Sequence, residues 1–138
     1  MEEPWRALAA ELGLEERAHF LGNVPHSEIP MYVRAADIFV LNSEYEGLSH
    51  TLLEVLNLGT PIVASGVCGN PEVVEDGVNG LLVDPGDPQT LRNALERLLD
   101  DGALGARFVA EGLSRRPRFT REGTFSEVEA VLLRLAGQ

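Results

Sequence analysis

The stretch that decides the fold is Ile38-Phe-Val-Leu-Asn-Ser-Glu-Tyr-Glu-Gly-Leu-Ser-His-Thr-Leu-Leu-Glu54. Its first four residues form a continuous apolar run, the pattern expected of a strand that is buried on both faces of a parallel sheet. A short polar turn with Gly47 follows, and an apolar-rich helix is predicted to begin after Ser49. Strand, turn and helix in this order predict one unit of an α/β fold.

The turn after this strand is a candidate anion site. Backbone N–H groups in the first turn of a helix have no intrahelical acceptor, so those of residues 49–52 are expected to point outward, where a diphosphate could sit. The helical rise from His50 to Glu54 is about 6 Å, roughly one step from a diphosphate to a ribose. We therefore expect the Glu54 carboxylate near ribose hydroxyls and Glu46 facing a sugar, as in a site for a sugar nucleotide.

The rest of the chain continues the alternation of strands and helices. Apolar runs at residues 61–64 and 81–83 predict two further strands, and His19-Phe-Leu-Gly22 predicts a short one. Asp87 followed by Pro88 is a strong helix start. Helices are predicted at residues 4–13, 27–36, 49–59, 70–75, 88–101, 104–113 and 124–135. With 138 residues, the chain is predicted to be a single α/β domain, residues 1–138, with a mostly parallel sheet.

Composition excludes several classes of partner. The chain has 22 acidic and 11 basic residues and a net charge of -11, so we expect it to repel nucleic acid and anionic membrane. Every basic residue is Arg and none is Lys. Cys68 is the only cysteine, which fits a reducing compartment, and His19, His26 and His50 lack the spacing of a metal site. Without a signal region or a long apolar run, the chain is expected to be cytoplasmic, with no membrane span.

Five motifs run in order through the chain: Glu46-Gly-Leu-Ser49 with Leu52-Leu-Glu54, Gly59-Thr-Pro-Ile-Val-Ala64, Gly69-Asn-Pro-Glu-Val-Val74, Asp76-Gly-Val-Asn-Gly-Leu-Leu-Val83 and Pro85-Gly-Asp-Pro88. Together they resemble the group 1 retaining glycosyltransferases, family 4 of the nucleotide-sugar transferases, which have the GT-B fold. The resemblance covers nearly the whole chain. It implies a doubly wound, Rossmann-like sheet that lacks its first two strands, in the donor-binding C-terminal half of an enzyme. The complete enzyme is expected to transfer a sugar from a nucleoside diphosphate to an unknown acceptor.

The resemblance also assigns roles to residues. Glu46 matches the first glutamate of the family's Glu-x7-Glu pair, which lies at the donor sugar, and is the expected catalytic residue. Glu54 matches the second, which holds the ribose. The other donor-binding residues implied are Gly47, Leu48, Ser49, His50, Thr51 and Leu52. The residues that could line the pocket are Cys68, Gly69, Asn70 and Glu72. No metal or cofactor is implied, because Arg, Lys and helix dipoles typically neutralise the family's phosphates.

The chain departs from the family pattern at two places. Cys68-Gly69 stands where the family usually has Gly-Gly, so a side chain is expected where close backbone approach is wanted. By the resemblance, the strand, glycine turn and Arg/Lys pair that begin the family's donor domain, and the acceptor-binding N-terminal half, are expected to be missing from these 138 residues. We therefore expect a donor domain truncated on its N-terminal side that does not catalyse transfer by itself.

The implied loss of two central strands has a structural consequence. The strand at residues 38–41 is expected to present an unpaired apolar edge, which invites pairing. We expect either that the strand at His19 shifts beside it, or that two chains associate through this edge.

Each of these features also has an interpretation without a ligand. Thr51-Leu-Leu-Glu54 matches a capping box, in which both side chains satisfy helix-start donors. Glu46 could be a solvated turn residue, His50 an exposed helix residue, and Asn70 and Glu72 parts of a short helix. For the whole chain, the alternative is a non-catalytic nucleotide- or protein-binding module of the same fold. A sugar-nucleotide epimerase fits the Glu46 and Glu54 pattern less well.

Overall fold

The computed structural model describes residues 2–115 and 120–136, apart from the side chains of residues 121 and 122. The chain divides into two compact units, Met1–Pro30 and Met31–Gln138. The first unit contains helix α1 (Glu3–Glu11), and helix α2 (Ile29–Ala35) begins at its end and continues into the second. None of the described helices is both long and apolar enough to cross a bilayer.

The predicted strand at His19 is wrong, because residues 18–22 have no regular secondary structure. The carbonyl oxygen of Phe20 accepts a hydrogen bond from the Arg6 guanidinium at 3.3 Å, and the guanidinium carbon lies 4.9 Å from the centre of the Phe20 ring. Gly22 has a φ of 62°, which turns the chain out of the extended conformation. The expected pairing of this segment, as a strand, with residues 38–41 is therefore also wrong.

The second unit alternates strands with helices. Its described elements are β1 (Phe39–Leu41), α3 (His50–Leu58), β2 (Ile62–Ser65), α4 (Asn70–Val73), β3 (Leu81–Val83), α5 (Pro88–Asp100), α6 (Gly102–Ser114) and α7 (Arg121–Ala136). The three strands are parallel in the order β1-β2-β3, with Val40 beside Val63 and Val63 beside Leu81. The predicted α/β fold with a parallel sheet is confirmed, and each of these three strands lies within two residues of its predicted place.

The ends of two helices follow local signals in the sequence. Helix α5 begins at Pro88, and the preceding Asp87 carboxylate accepts hydrogen bonds from the backbone N–H groups of Gln89 and Thr90 at 2.8 and 3.4 Å. Helix α3 ends at Leu58, and the next residue, Gly59, has a left-handed φ of 77°. A left-handed residue after the last turn ends a helix, and glycine adopts that conformation without a steric penalty.

The core of the second unit forms around β2, in which all four residues are buried. The helices that cover β2 and β3 contribute apolar side chains to one cluster, whose buried members are Val63, Leu81, Val83, Ala94, Leu98, Leu104 and Phe108. Burying a side chain the size of Phe108 stabilises the fold by roughly 1.5–3 kcal/mol. The expectation of burial on both faces is correct for β2 and wrong for β1, where Val40 is 39% exposed. In the described residues, β1 is the edge of the sheet and pairs with β2 alone.

Candidate functional site

The candidate site lies where β1 and β2 end side by side. Because the strands are parallel and Leu41 lies beside Ala64, the segments that follow them emerge at the same edge of the sheet. We call residues 42–49 the first loop and residues 66–69 the second loop. Ligands of open α/β sheets bind outside the carboxyl ends of the strands, so this edge is where a ligand is expected.

The second loop packs directly against the turn of the first. A Cβ atom built on Gly69 would lie 2.4 Å from the carbonyl oxygen of Gly47 and 2.9 Å from the Cα atom of Leu48. No side chain fits in that space, so the contact between the two backbones requires glycine at position 69.

The structural effect of Cys68, in place of the family's glycine, differs from the expected one. Its side chain is exposed, and its φ is 48°, in the left-handed region that glycine adopts most easily. The close backbone approach is one residue later, at Gly69. The thiol therefore does not enter the contact between the loops. The effect of a cysteine at this position is instead backbone strain at residue 68.

Helix α3 begins at the end of the first loop, where Ser49 is its N-cap. The hydroxyl of Ser49, 5% exposed, accepts a hydrogen bond from the N–H of Leu52 at 3.3 Å and caps the helix. The interpretation of Thr51-Leu-Leu-Glu54 as a capping box is therefore wrong, because the N-cap is Ser49, two residues before Thr51. The N–H groups of His50 and Thr51 have no acceptor among the described residues. With the positive end of the helix dipole, they make this helix start suitable for an anion.

The start of helix α5 is not suited to bind an anion, although this helix also follows a strand. Pro88 has no backbone N–H, and the Asp87 carboxylate already accepts from the next two residues. A carboxylate at this position also repels an anion. The suitability of α3 for an anion is thus specific to its own sequence and does not apply to helix starts in general.

Glu46 is held within the first loop by a hydrogen bond. Its Oε1 atom accepts from the hydroxyl of Ser43 at 3.0 Å, and the side chain is partly exposed. Ser43 is in turn bound through its backbone to Ser65, the last residue of β2. Neither serine stands out in the sequence, because the Ser43 and Ser65 contact joins residues 22 positions apart.

Glu54 lies one turn along α3 from its exposed start. Helical spacing puts Glu54 on the same face as His50, and this face is opposite to the buried side chains of Leu52 and Leu56. Glu54 and His50 are both exposed. The two glutamates thus lie on either side of the His50 and Thr51 amides along the chain, Glu46 before them in the first loop and Glu54 after them in the helix.

The candidate lining residues of the second loop and α4 divide into two kinds. Asn70 is fully buried, and its side-chain amide donates to the carbonyl oxygen of Ser65 at 3.0 Å, so it supports the loop from inside. Gly69 is also buried, whereas Cys68 and Glu72 are exposed. A cleft of about 590 Å³ adjoins these residues and is lined by Leu48, Pro71, Glu72, Val73, Glu75, Arg115, Thr124 and Glu127.

The charges of this cleft are partly paired. An Arg115 nitrogen donates to a carboxylate oxygen of Glu75 at 2.6 Å, and the Arg115 side chain is only 24% exposed. Sequence spacing missed this ion pair because it joins residues 40 positions apart. In the described part of the chain, no group of three or more His, Cys, Asp or Glu side chains is placed to hold a metal ion.

Comparison with a family model and with curated proteins gives similarity to glycosyltransferases in both cases. A family model described as glycosyl transferases group 1 matches residues 1–115. Among curated proteins, D-inositol 3-phosphate glycosyltransferase from Corynebacterium efficiens is 35% identical over 129 residues, which are 94% of this chain and 30% of that relative. The chain thus spans about a third of the length of this relative.

Two solved structures are similar to this chain in both sequence and fold. Sucrose-phosphate synthase from Thermosynechococcus elongatus is 31% identical with a TM-score of 0.82, over 98% of this chain and 35% of that chain. HepE from Anabaena, solved in complex with UDP, is 27% identical with a TM-score of 0.81, over 99% of this chain and 36% of that chain. The same protein has also been solved in complex with UDP-glucose.

Proposed function

Because the chain belongs to the group 1 glycosyl transferases, we propose that it is the nucleotide-sugar binding half of a retaining glycosyltransferase. In this proposal residues 1–138 belong to one donor-binding domain, and the complete enzyme transfers a sugar from a nucleoside diphosphate to an acceptor. The similarity to HepE, which has been solved with UDP and with UDP-glucose, makes UDP-sugars the first donors to test.

The observation that carries the proposal is the start of α3. The N–H groups of His50 and Thr51, which lack acceptors among the described residues, are the proposed binding site of the diphosphate. The Glu54 carboxylate, one turn further, accepts hydrogen bonds from the ribose hydroxyls, and Glu46 accepts from hydroxyls of the sugar. Carboxylates beside a diphosphate repel it, so both glutamates contribute through hydroxyl groups.

Catalysis needs more charge than this segment provides. A helix dipole supplies roughly half an elementary charge, while a departing nucleoside diphosphate carries more. The Arg/Lys pair that the family uses for the diphosphate is not among the motifs matched here. We therefore propose that residues 1–138 bind the donor, and that transfer requires groups from other parts of the enzyme.

Calorimetric titration of the chain with UDP-, GDP- and ADP-glucose tests this proposal. We expect a preference for one base. We also expect Glu54→Gln to weaken binding of the preferred donor about ten-fold or more, because hydrogen bonds to charged groups contribute about 1.5–3 kcal/mol. The matched control is Glu96→Gln on the exposed surface of α5, where Glu96 pairs with Arg92. It should leave donor binding unchanged.

Two results would contradict the proposal. One is an equally weak response to all three donors from a chain whose circular dichroism shows an intact fold. The other is an equal loss of affinity in Glu54→Gln and Glu96→Gln. Either result would favour the alternative of a non-catalytic binding module.

A further inference from the structure

We infer that Ser43 is a positioning residue that holds the Glu46 carboxylate for the donor sugar, and that Ser65 and Asn70 anchor Ser43 to the core. Three successive hydrogen-bonded links join these four residues. The inference rests on the proposed role of Glu46, and its test is designed to separate the two.

The first link fixes the glutamate. A glutamate on a partly exposed turn populates several rotamers, and ordering it on ligand binding costs conformational entropy. The Ser43 hydroxyl donates to Oε1 of Glu46 at 3.0 Å and so selects one arrangement before any ligand arrives. The second carboxylate oxygen, Oε2, has no partner among the described residues. It is therefore the atom left to accept from a sugar hydroxyl.

The second link fixes the backbone that carries the serine. Ser65 is fully buried, and its hydroxyl makes two hydrogen bonds to Ser43, one as donor and one as acceptor. It accepts from the N–H of Ser43 at 3.1 Å and donates to the carbonyl oxygen of Ser43 at 2.6 Å. Both backbone polar groups of Ser43 are thereby held by one atom of the central strand, so Ser43 cannot turn without breaking its hydrogen bonds to the buried Ser65 hydroxyl.

The third link extends the network to α4. The side-chain NH2 group of Asn70 donates to the carbonyl oxygen of Ser65 at 3.0 Å. Because a carbonyl oxygen only accepts, the amide must present its nitrogen here, and its Oδ1 atom is left buried without a partner among the described residues. Leaving a buried acceptor unsatisfied is unfavourable, and an apolar side chain would avoid it. The unsatisfied atom is explained if the other end of the amide is needed to hold Ser65.

The ligand-free chain provides the first test. Three-bond NMR couplings report the χ1 rotamers of Glu46, and we expect one dominant rotamer in the wild type and in Ser43→Thr, which keeps the hydroxyl. We expect averaging over several rotamers in Ser43→Ala. The matched control is Ser114→Ala, which removes a hydroxyl that donates to the carbonyl oxygen of Glu111 at the end of α6. Unchanged couplings in a folded Ser43→Ala chain would overturn the inference.

Ligand binding provides the second test. We expect Ser43→Ala to weaken UDP-glucose binding three- to ten-fold while UDP binding stays the same, and we expect Ser43→Thr to bind both as the wild type does. In the double variant with Glu46→Gln, removing the Ser43 hydroxyl should add no further loss, because both changes affect the same contact. An equal loss for UDP and UDP-glucose would instead indicate general damage to the loop and would overturn the inference.

The two tests separate the inference from the proposed function. If the wild type binds none of UDP-, GDP- and ADP-glucose, the proposed function fails, and the couplings still decide whether Ser43 orders Glu46. If the wild type binds UDP-glucose and Glu46→Gln weakens that binding, then wild-type affinity in Ser43→Ala overturns the inference alone.

Discussion

The first and second loops begin at neighbouring strand ends and each leads into a helix, yet they differ in what they expose. In the first loop, Tyr45 is 81% exposed and Leu48 is 45% exposed. The second loop ends at Gly69, which is buried against the first loop, and Asn70, the first residue of α4, is buried as well. We therefore propose that the first loop presents groups to a ligand, while the second holds the first in place.

The glycines of the two loops illustrate this difference. A Cβ atom on Gly69 would overlap the backbone of the first loop, whereas one on Gly47 would meet nothing within 4 Å. Gly47 also lacks the positive φ that favours glycine. The fold thus requires glycine at position 69 and not at position 47, and we propose that Gly47 allows a ligand to approach the backbone closely.

The largest expected effect is that of Gly69→Ala. A Cβ atom 2.4 Å from a carbonyl oxygen forces the two loops apart, and overpacking of this kind costs about 1–3 kcal/mol. We expect a loss of about 3 kcal/mol in the free energy of unfolding, measured by urea denaturation, together with weaker donor binding. Wild-type stability and wild-type affinity in this variant would show that the loops separate easily. The proposed difference in role between the first and second loops would then be wrong.

The sequence predicted the elements whose signals are local. Helix α5 has its cap and its first proline next to each other at Asp87 and Pro88, and α3 has a glycine at its end. The apolar runs that became β2 and β3 were also predicted, because burial in a parallel sheet leaves a continuous apolar pattern. The resemblance to the family then brought Glu46 and Glu54 together as candidates.

The sequence failed where structure depends on distant partners. The segment at His19 has the composition of a strand, but a strand needs a hydrogen-bonded neighbour, and here Arg6 binds the carbonyl oxygen of Phe20 instead. The anchoring of Ser43 by Ser65 has no sequence signature, because serines are common and this pair is 22 residues apart. The sequence therefore identified the two glutamates as candidates for ligand binding, and it missed the serines that hold the loop of Glu46.

A smaller effect is expected for Gly47→Ala, which tests the presenting loop. The space around the new methyl group is open, so the free energy of unfolding should stay within about 0.5 kcal/mol of the wild type. If the donor approaches this backbone closely, UDP-glucose affinity measured by calorimetry should fall about ten-fold, a change of about 1.4 kcal/mol. The matched control is Gly102→Ala at the start of α6, where a Cβ atom also meets nothing within 4 Å. Equal affinities in the two variants would show that Gly47 does not face the donor.

The smallest expected effect, and the one of opposite sign, is that of Cys68→Gly in the holding loop. A non-glycine residue in the left-handed conformation costs roughly 1–2 kcal/mol, and glycine brings an entropic penalty of roughly 0.5–1 kcal/mol from the unfolded chain. At the φ of 48° observed for Cys68, the difference predicts a gain of about 0.5 kcal/mol in the free energy of unfolding. Cys68→Ala is the control, because it removes the thiol and keeps the Cβ atom, and it should leave stability unchanged. A gain in Cys68→Ala equal to that in Cys68→Gly would assign the effect to the sulfur and not to the backbone, and position 68 would then need no glycine for conformational reasons.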